Sequence, residues 1–254
     1  MDAIKFKQTT RNSVKAVTTT FNEWRKPLAR QLNKDGDVSC VTIRVRILNG
    51  DSESDFNARF PPGPLLAKSV CKAIQNKQGL SEDEAKLFGL WMIGKDIELQ
   101  VRPTLDLFEL ILFWHNWVTK YTHVPEAANP SHPVNNYWLV YRREALVSIA
   151  EEKQNAGQKA ISLLYGEAKR NIMSGKYVCT QMAFATIAGI QQQILHGDYD
   201  QSKTPIGYLS DIERLQQLLP DKAANKMSAS EWEKIITLQY KTFIGLDASE
   251  ARKT

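Results

Sequence analysis

The spacing of apolar residues changes near residue 150 of this 254-residue chain. Before it, stretches such as Val41, Ile43, Val45 and Ile47 alternate apolar with polar side chains, which is the two-residue period of a strand with one buried face. After it, apolar residues recur at three- and four-residue steps, the period of an amphipathic helix. This order predicts two bodies, one built on a sheet and one made of helices.

The first body begins with a predicted β-hairpin. Asn49-Gly50 favours a tight turn because both residues tolerate positive φ, and a second alternation covers 56–60. Apolar residues then recur every four positions over 66–74, which predicts a short helix that ends at Gly79. Further strands are predicted at Leu87–Met92, Ile97–Val101 and Tyr137–Val147.

The second body is predicted to be a helical bundle that begins after a boundary near Ser148–Asn155. We therefore divide the chain into residues 1–37, 38–150 and 151–254. The predicted buried stripes are Ile161, Leu164, Tyr165, Ala168 and Ile172; Ala183, Ile187, Ile190 and Ile194; Ile212, Leu215 and Leu219; and Trp232, Ile235, Ile236, Tyr240 and Phe243.

Residues 1–37 are predicted to form a basic, flexible N-terminal arm. Residues 1–40 carry four of the five net positive charges, so the remainder is nearly neutral and is not expected to bind nucleic acid. Apolar residues from Val14 to Leu32 fit an amphipathic helix that could dock on anionic lipid, whereas Thr18–Thr20 and Pro27 favour a mostly disordered arm. The candidate lipid-binding residues are Lys15, Arg25, Lys26 and Arg30.

The composition, 43% hydrophobic and 24% charged, is typical of a folded, water-soluble chain. The most apolar stretch, 105–118, is shorter than the roughly twenty apolar residues of a membrane-spanning helix. Three cysteines far apart, with no signal peptide, favour a reducing cytoplasmic setting.

No catalytic constellation is predicted. The glycines lie in isolated turns, and no nucleophile is paired with a base. No metal or cofactor is expected, because His115, His123, His132 and His196 share no ligand spacing with each other or with a cysteine. An enzyme that uses the first body as a targeting module is the least favoured alternative.

An aromatic-rich segment at 108–121 is predicted to be one short helix. Two interpretations remain open. The helix could fill the seam between the two bodies, or it could present an exposed apolar ridge to a partner. Its aromatic residues are Phe108, Phe113, Trp114, Trp117 and Tyr121.

Several segments resemble the FERM family. In the first body, Ala67–Leu80 is similar to the central helix of ubiquitin, and Leu87–Trp91 and Leu99–Pro103 are similar to central strands of the first FERM lobe. In the second body, four separated motifs follow the order of the helical second lobe. They are Leu163–Gly175 with Cys179, Ala185–Tyr199, Gly207–Leu209 with Leu218–Pro220, and Glu231–Glu233.

The resemblance implies an α+β chain with a ubiquitin-like β-grasp lobe followed by an all-α bundle like that of acyl-CoA-binding protein. The strand segments of the first body most resemble the sequences of Krev-interaction-trapped and inactive-rhomboid-binding FERM scaffolds. FERM modules usually carry a third, phosphotyrosine-binding-like lobe, for which the sequence up to Thr254 leaves no room. We therefore expect a fragment, a short isoform or a chain that has lost this lobe, and properties of that lobe are not carried over.

The expected function is that of a non-enzymatic scaffold beside the plasma membrane or cortical cytoskeleton. Arg44, Arg46 and Arg59 are predicted to project from the outward face of the hairpin, where their guanidinium groups could pair with carboxylates of a partner. A solvated basic sheet face is the alternative. The resemblance implies a Ras-like small GTPase or the cytoplasmic segment of a membrane protein as partner, and peripheral attachment to anionic lipid or phosphoinositide through the arm is the alternative function.

Overall fold

The computed structural model describes residues 28–32, 38–49 and 52–254, and the chain divides into two compact units between Ala160 and Ile161. The strands are β1 (Leu28–Leu32), β2 (Val38–Asn49), β3 (Ser52–Phe60), β4 (Phe88–Gly94), β5 (Glu98–Val101) and β6 (Tyr137–Arg143). Helices of the first unit are α1 (Ala67–Gln78), α2 (Glu82–Lys86), α3 (Leu107–Leu112), α4 (Trp114–Thr122) and α5 (Ile149–Asn155). Those of the second are α6 (Gln158–Met173, which crosses the division), α7 (Gln181–His196), α8 (Ile212–Leu218), α9 (Asp221–Ala224), α10 (Ala229–Tyr240) and α11 (Ala248–Ala251).

The first unit is a β-grasp, as predicted. Its sheet has the order β1-β2-β6-β4-β5, with β3 also paired to β2, and β2 runs parallel to β6. The alternation along β2 places Val41, Ile43 and Val45 on the inner face, where all three are completely buried. Helix α1 contributes Val70 and Ile74, also completely buried, to the same core. Removing these aliphatic side chains from water supplies much of the driving force for folding this unit.

Strand β1 corrects the prediction for the end of the N-terminal arm. Residues Leu28–Leu32 were expected to be helical or disordered, but they pair antiparallel with β2, Leu28 opposite Ile43 and Arg30 opposite Val41. Residues four positions apart lie on the same face of a helix and also on the same face of a strand. The spacing of Leu28 and Leu32 therefore fits both structures equally. The predicted lipid-binding residues Lys15, Arg25 and Lys26 lie outside the described residues.

The aromatic segment is also corrected, because it forms two helices and not one. Phe113 has φ −100° and ψ 13°, and this interruption separates α3 from α4. Phe108 and Trp114 are buried in the first unit, and the Trp114 ring lies 5.8 Å from that of Tyr137 on β6. Phe113 and Tyr121 are about half exposed. Whether this segment fills a seam between the two bodies stays a prediction.

Helix α5 occupies the predicted boundary near Ser148–Asn155, and it packs with the first unit. Glu152 on α5 forms an ion pair with Arg143 on β6. Beyond α5, Lys159 Nζ donates to the carbonyl of Gly79 at 2.8 Å. These contacts explain why the first unit continues to Ala160.

The second unit is a helical bundle, as predicted, but α7 buries a different face from the predicted stripe of Ala183, Ile187, Ile190 and Ile194. Those four residues are only half-buried. Apart from Phe184, the face turned to the core instead carries small or polar residues. Its buried members are Phe184, Ala185, Ala188, Gly189, Gln191, Gln192 and Gln193.

Small residues on α7 let α10 approach closely. A Cβ atom built on Gly189 would lie 2.8 Å from the backbone nitrogen of Tyr240 and 3.1 Å from the carbonyl carbon of Gln239. The core around this pair includes completely buried Trp232, whose indole nitrogen donates to the carbonyl of Ala224 at 3.1 Å. The sequence pattern predicted the helices, and side-chain size decides which face of α7 is inside.

Candidate protein-binding face

The outer face of the sheet, opposite the β2 residues that fill the core, carries the predicted arginines. Alternation along β2 directs Arg44 and Arg46 outward, because their neighbours Val45 and Ile47 are buried. Arg44 Nε lies 3.4 Å from Asn57 Oδ1 and 3.8 Å from Asp55 Oδ2, so the outward residues of β3 share this face. Arg59 follows Asn57 by two positions and is exposed.

Arg46 differs from Arg44 because its guanidinium group lies over an aromatic ring. Its guanidinium carbon is 3.6 Å from the ring centroid of Trp138, which is on β6. This contact arises from the parallel pairing of Arg46 with Val140, since Trp138 lies two residues before Val140 and projects from the same side. A cation held over an indole gains about 0.5–2 kcal/mol, depending on how far the pair is desolvated.

A second arginine and tryptophan lie across β6 and β4. The guanidinium carbon of Arg142 is 4.9 Å from the Trp91 ring, and its Nη1 donates to Glu98 on β5 at 2.9 Å. The Trp91 indole nitrogen donates to the carbonyl of Arg143 at 3.1 Å, which orients the ring. Val140 lies between the two pairs and is buried.

We call this surface the Arg–Trp face. It consists of Arg44, Arg46, Asp55, Asn57, Arg59, Trp91, Glu98, Trp138, Val140 and Arg142. Four arginines and two carboxylates give it a positive character, and the two tryptophans give it broad apolar area. Arginine and tryptophan are the residue types most enriched at binding hot spots.

Sequence reasoning found the three hairpin arginines, and the structure brings them to one face. It missed Trp91, Trp138 and Arg142. The alternation along Tyr137–Arg143, in which Trp138 and Arg142 share a side, was the available signal. Their approach to Arg46 depends on strand pairing across about ninety residues, which no local pattern contains.

The described residues include a thiol whose pKa is shifted by burial. Burial raises the pKa of the Cys71 thiol to about 11, so this cysteine is protonated at neutral pH. Within residues 28–32, 38–49 and 52–254, no group of three or more histidine, cysteine or acidic side chains could hold a metal ion. In the same residues, no helix combines the length and apolar character needed to cross a membrane.

Comparison with known protein families gives a match in the second half of the chain. Residues 150–254 match the family model described as the FERM central domain. FERM domain-containing protein 8 of Xenopus tropicalis is 28% identical over 139 residues, which are 55% of this chain and 30% of that protein. Human Merlin is 26% identical over 215 residues, which are 83% of this chain and 31% of Merlin. The chain thus spans about a third of the length of these curated relatives.

Solved structures of FERM proteins share the fold. The MyTH4-FERM MF2 domain of Dictyostelium discoideum myosin VII aligns with a TM-score of 0.62 at 17% identity, covering 84% of this chain and 40% of that one. The FERM and C-terminal domain complex of Drosophila Merlin aligns with a TM-score of 0.57 at 19% identity, covering 83% and 62%. These findings confirm the resemblance to the FERM family: a ubiquitin-like lobe precedes a helical lobe that corresponds to the FERM central domain.

Proposed function

We propose that this chain is a non-enzymatic FERM-type adaptor that binds an acidic segment of a protein partner through its Arg–Trp face. The observation that carries the proposal is the stacking of Arg46 on Trp138, 3.6 Å from the ring centroid. A stacked guanidinium loses less side-chain freedom when it pairs with a carboxylate, because its plane is already oriented.

The partner that we propose is the switch region of a Ras-like small GTPase, with the cytoplasmic segment of a membrane protein as the second possibility. Either would bring the chain to the plasma membrane or the cortical cytoskeleton. Protein binding is supported by two structural neighbours. Human myosin 7b was solved with its C-terminal MyTH4-FERM domain in complex with the harmonin-a PDZ3 domain, and Drosophila Merlin with its FERM domain in complex with its C-terminal domain.

The test is a calorimetric titration of the full chain with Ras-like GTPases in their GTP- and GDP-bound forms. The double variant Arg44→Glu with Arg46→Glu is expected to weaken binding at least about a hundredfold, because two favourable charge pairs become repulsive. Lys68→Glu with Lys77→Glu makes the same change in net charge on exposed positions of α1, and it should leave the affinity nearly unchanged.

A third variant, Trp138→Ala, removes the platform under Arg46 and keeps the charge. It should weaken binding about tenfold. Unchanged affinity in the Arg44 and Arg46 double variant would show that the Arg–Trp face does not bind the partner. An equal loss of affinity in the α1 control would show the same.

Peripheral attachment to anionic or phosphoinositide lipid through the N-terminal arm is our second proposal, and the charge of residues 1–40 favours it. Deletion of residues 1–37 would remove strand β1 as well, so neutral variants are the better test. Glutamine at Lys15, Arg25 and Lys26 should reduce cosedimentation with anionic vesicles, and equal cosedimentation would contradict this proposal. Arg30 lies in β1, so its glutamine variant is made and measured on its own.

A further inference from the structure

The loop between α7 and α8 is held to helix α10 by one carboxylate. Glu233 on α10 accepts from the backbone nitrogen of Gly207 at 2.8 Å and from that of Leu209 at 3.1 Å. Its second oxygen accepts from the Gly207 nitrogen at 3.0 Å and from the Ser210 hydroxyl. Two amides and one hydroxyl of the loop therefore converge on a single anion, and the side chain of Leu209 is buried in the core of the second unit.

The hydrogen bond of Ser210 differs from those of other serines that donate to glutamate. Ser148 and Ser228 each donate to a glutamate three positions further on, inside the capping box of their own helix. Glu233 is 23 positions from Ser210 and belongs to another element of the fold. A chemical change at Ser210 therefore acts on a contact that joins a loop to a distant helix, whereas a change at a cap acts on that cap alone.

The residues after Ser210 carry exposed negative charge. Asp211 and Glu213, the first and third residues after it, are both exposed. A protein kinase that selects its serine by carboxylates on the C-terminal side reads this pattern of charge. Ser210 itself is half-buried and its hydroxyl is bonded to Glu233, so the kinase reaches the hydroxyl when the loop opens locally.

We propose that Ser210 is the phosphorylation site of an acid-directed serine kinase, and that its phosphate displaces Glu233 from the loop. In the reaction the Ser210 oxygen attacks the γ-phosphorus of ATP and a new O–P bond forms. The bond between the γ-phosphorus and its bridging oxygen breaks, ADP leaves, and the hydroxyl proton passes to a base of the kinase. The product carries a charge of about −1.5 to −2 on the group that had donated to Glu233.

The phosphate takes the place of the carboxylate because the donors already converge there. The two backbone amides that Glu233 accepts from belong to residues one and three positions before Ser210, so an anion on Ser210 is offered the same donors. Exposed Arg214 supplies a cation, since its Nη1 donates at 3.1 Å to the carbonyl of Tyr208, two residues before Ser210. Glu233 meanwhile loses its hydroxyl donor and faces a like charge. Phosphorylation therefore releases the loop from α10.

The first experiment treats the full chain with casein kinase 2, an acid-directed kinase, and magnesium ATP, and maps the phosphorylated sites by mass spectrometry. Wild type should be phosphorylated at Ser210, and Ser210→Ala should lose this site and keep any others. Glu233→Ala should raise the initial rate at Ser210 at least about tenfold, because a hydroxyl released from a charged acceptor is more often accessible.

Glu231→Ala is the matched control. It removes the same charge from the same helix, but the Glu231 carboxylate accepts from Ser228 in its own capping box. The rate at Ser210 should therefore stay unchanged in this variant.

The second experiment measures trypsin cleavage after Lys203, an exposed residue of the loop, before and after kinase treatment. Phosphorylation should speed this cleavage about tenfold in wild type, because the loop is no longer held to α10. It should have no effect in Ser210→Ala and little effect in Glu233→Ala, where the link to α10 is already absent. Such non-additive effects are expected when both changes act on one contact.

Three results would overturn the proposal. Absence of phosphate at Ser210 in the wild-type chain would exclude the site. Equal acceleration of cleavage by phosphorylation in wild type and Glu233→Ala would show that the phosphate does not act through Glu233. An equal rise in the rate at Ser210 in Glu231→Ala would show that charge on α10, and not release of the hydroxyl, controls access. None of these results bears on partner binding at the Arg–Trp face, which is a separate measurement.

Discussion

Replacement of Gly189 by alanine tests the packing of α7 against α10. At an ordinary helix position this change stabilises a protein by up to about 1 kcal/mol, because alanine restricts the unfolded chain and favours the helix. Here the added methyl group would lie 2.8 Å from the Tyr240 nitrogen and 3.1 Å from the Gln239 carbonyl carbon. Both atoms belong to the backbone of α10, so a side chain cannot move aside to make room.

The two effects have opposite signs, and the structure decides between them. Overpacking of a well-packed site costs about 1–3 kcal/mol, and a contact of 2.8 Å with backbone atoms belongs in the upper part of that range, at about 2–3 kcal/mol. The gain in helix propensity offsets about 1 kcal/mol of this cost. We expect Gly189→Ala to lower the free energy of unfolding of the second unit by about 1–2 kcal/mol. For a unit of this size the midpoint of thermal unfolding should fall by roughly 5–10 °C.

Calorimetry of the full chain, with hydrogen exchange of peptides from α7 and α10, measures this effect. Exchange assigns the loss to the second unit, which matters because a two-unit chain does not unfold in a single two-state step. Gly189→Ser, which adds one more atom, should cost more than alanine. If Gly189→Ala raised the midpoint instead, the close approach of the two helices would be wrong.

Three further predictions concern the second unit and the cysteine in α1. Glu233 accepts from the backbone nitrogens of Gly207 and Leu209 at 2.8 and 3.1 Å and from the Ser210 hydroxyl. Glu233→Ala should therefore destabilise by about 2 kcal/mol and speed proteolysis in this loop, and Glu233→Gln should be intermediate. The Gly245 amide and the Gln193 side chain lower the pKa of Asp198. Its stabilising contribution should be complete above the unfolded pKa of about 3.9 and disappear as the pH falls through the lower folded value. The Asp198→Asn variant should therefore be less stable than wild type near neutral pH. In strong acid, where Asp198 is protonated, the two proteins should be equally stable. Because burial raises the Cys71 pKa to about 11, its alkylation in the folded chain should be slow near pH 8 and should rise about tenfold per pH unit, as mass spectrometry of its peptide can show.

The sequence predicted elements whose pattern has only one interpretation. Alternation along β2, followed by the Asn49-Gly50 dipeptide, predicted the hairpin. The four-residue spacing of apolar residues before Gly79 predicted α1. The predictions failed where one spacing fits two structures. Leu28 and Leu32 were assigned to a helical or disordered arm and belong to a strand, and Phe113 interrupts a segment whose spacing looks continuous.

Burial of polar residues lies beyond what a hydropathy pattern can predict. Gln191, Gln192 and Gln193 are all more than nine-tenths buried, although the predicted buried stripe of α7 did not include them. Gln193 shows why, since its amide donates to Asp198 Oδ1 at 2.8 Å and to the Leu246 carbonyl at 2.7 Å. A buried amide is tolerated when it is hydrogen-bonded, and one of these two partners, Leu246, lies 53 residues away in the sequence.

The same reasoning explains why only three of the ten residues of the Arg–Trp face were predicted. An alternating strand determines that Arg44 and Arg46 face outward, but it does not determine what lies beside them. The parallel pairing of Arg46 with Val140 places Trp138 under Arg46 and leaves Arg44 to contact Asp55 and Asn57 on β3. Two arginines that look equivalent in the sequence are therefore different in the fold. One is stacked on an indole and the other is partly neutralised by a carboxylate, so Arg46→Ala alone should weaken partner binding more than Arg44→Ala. Equal effects would mean that charge alone, and not the indole platform, determines recognition at this face.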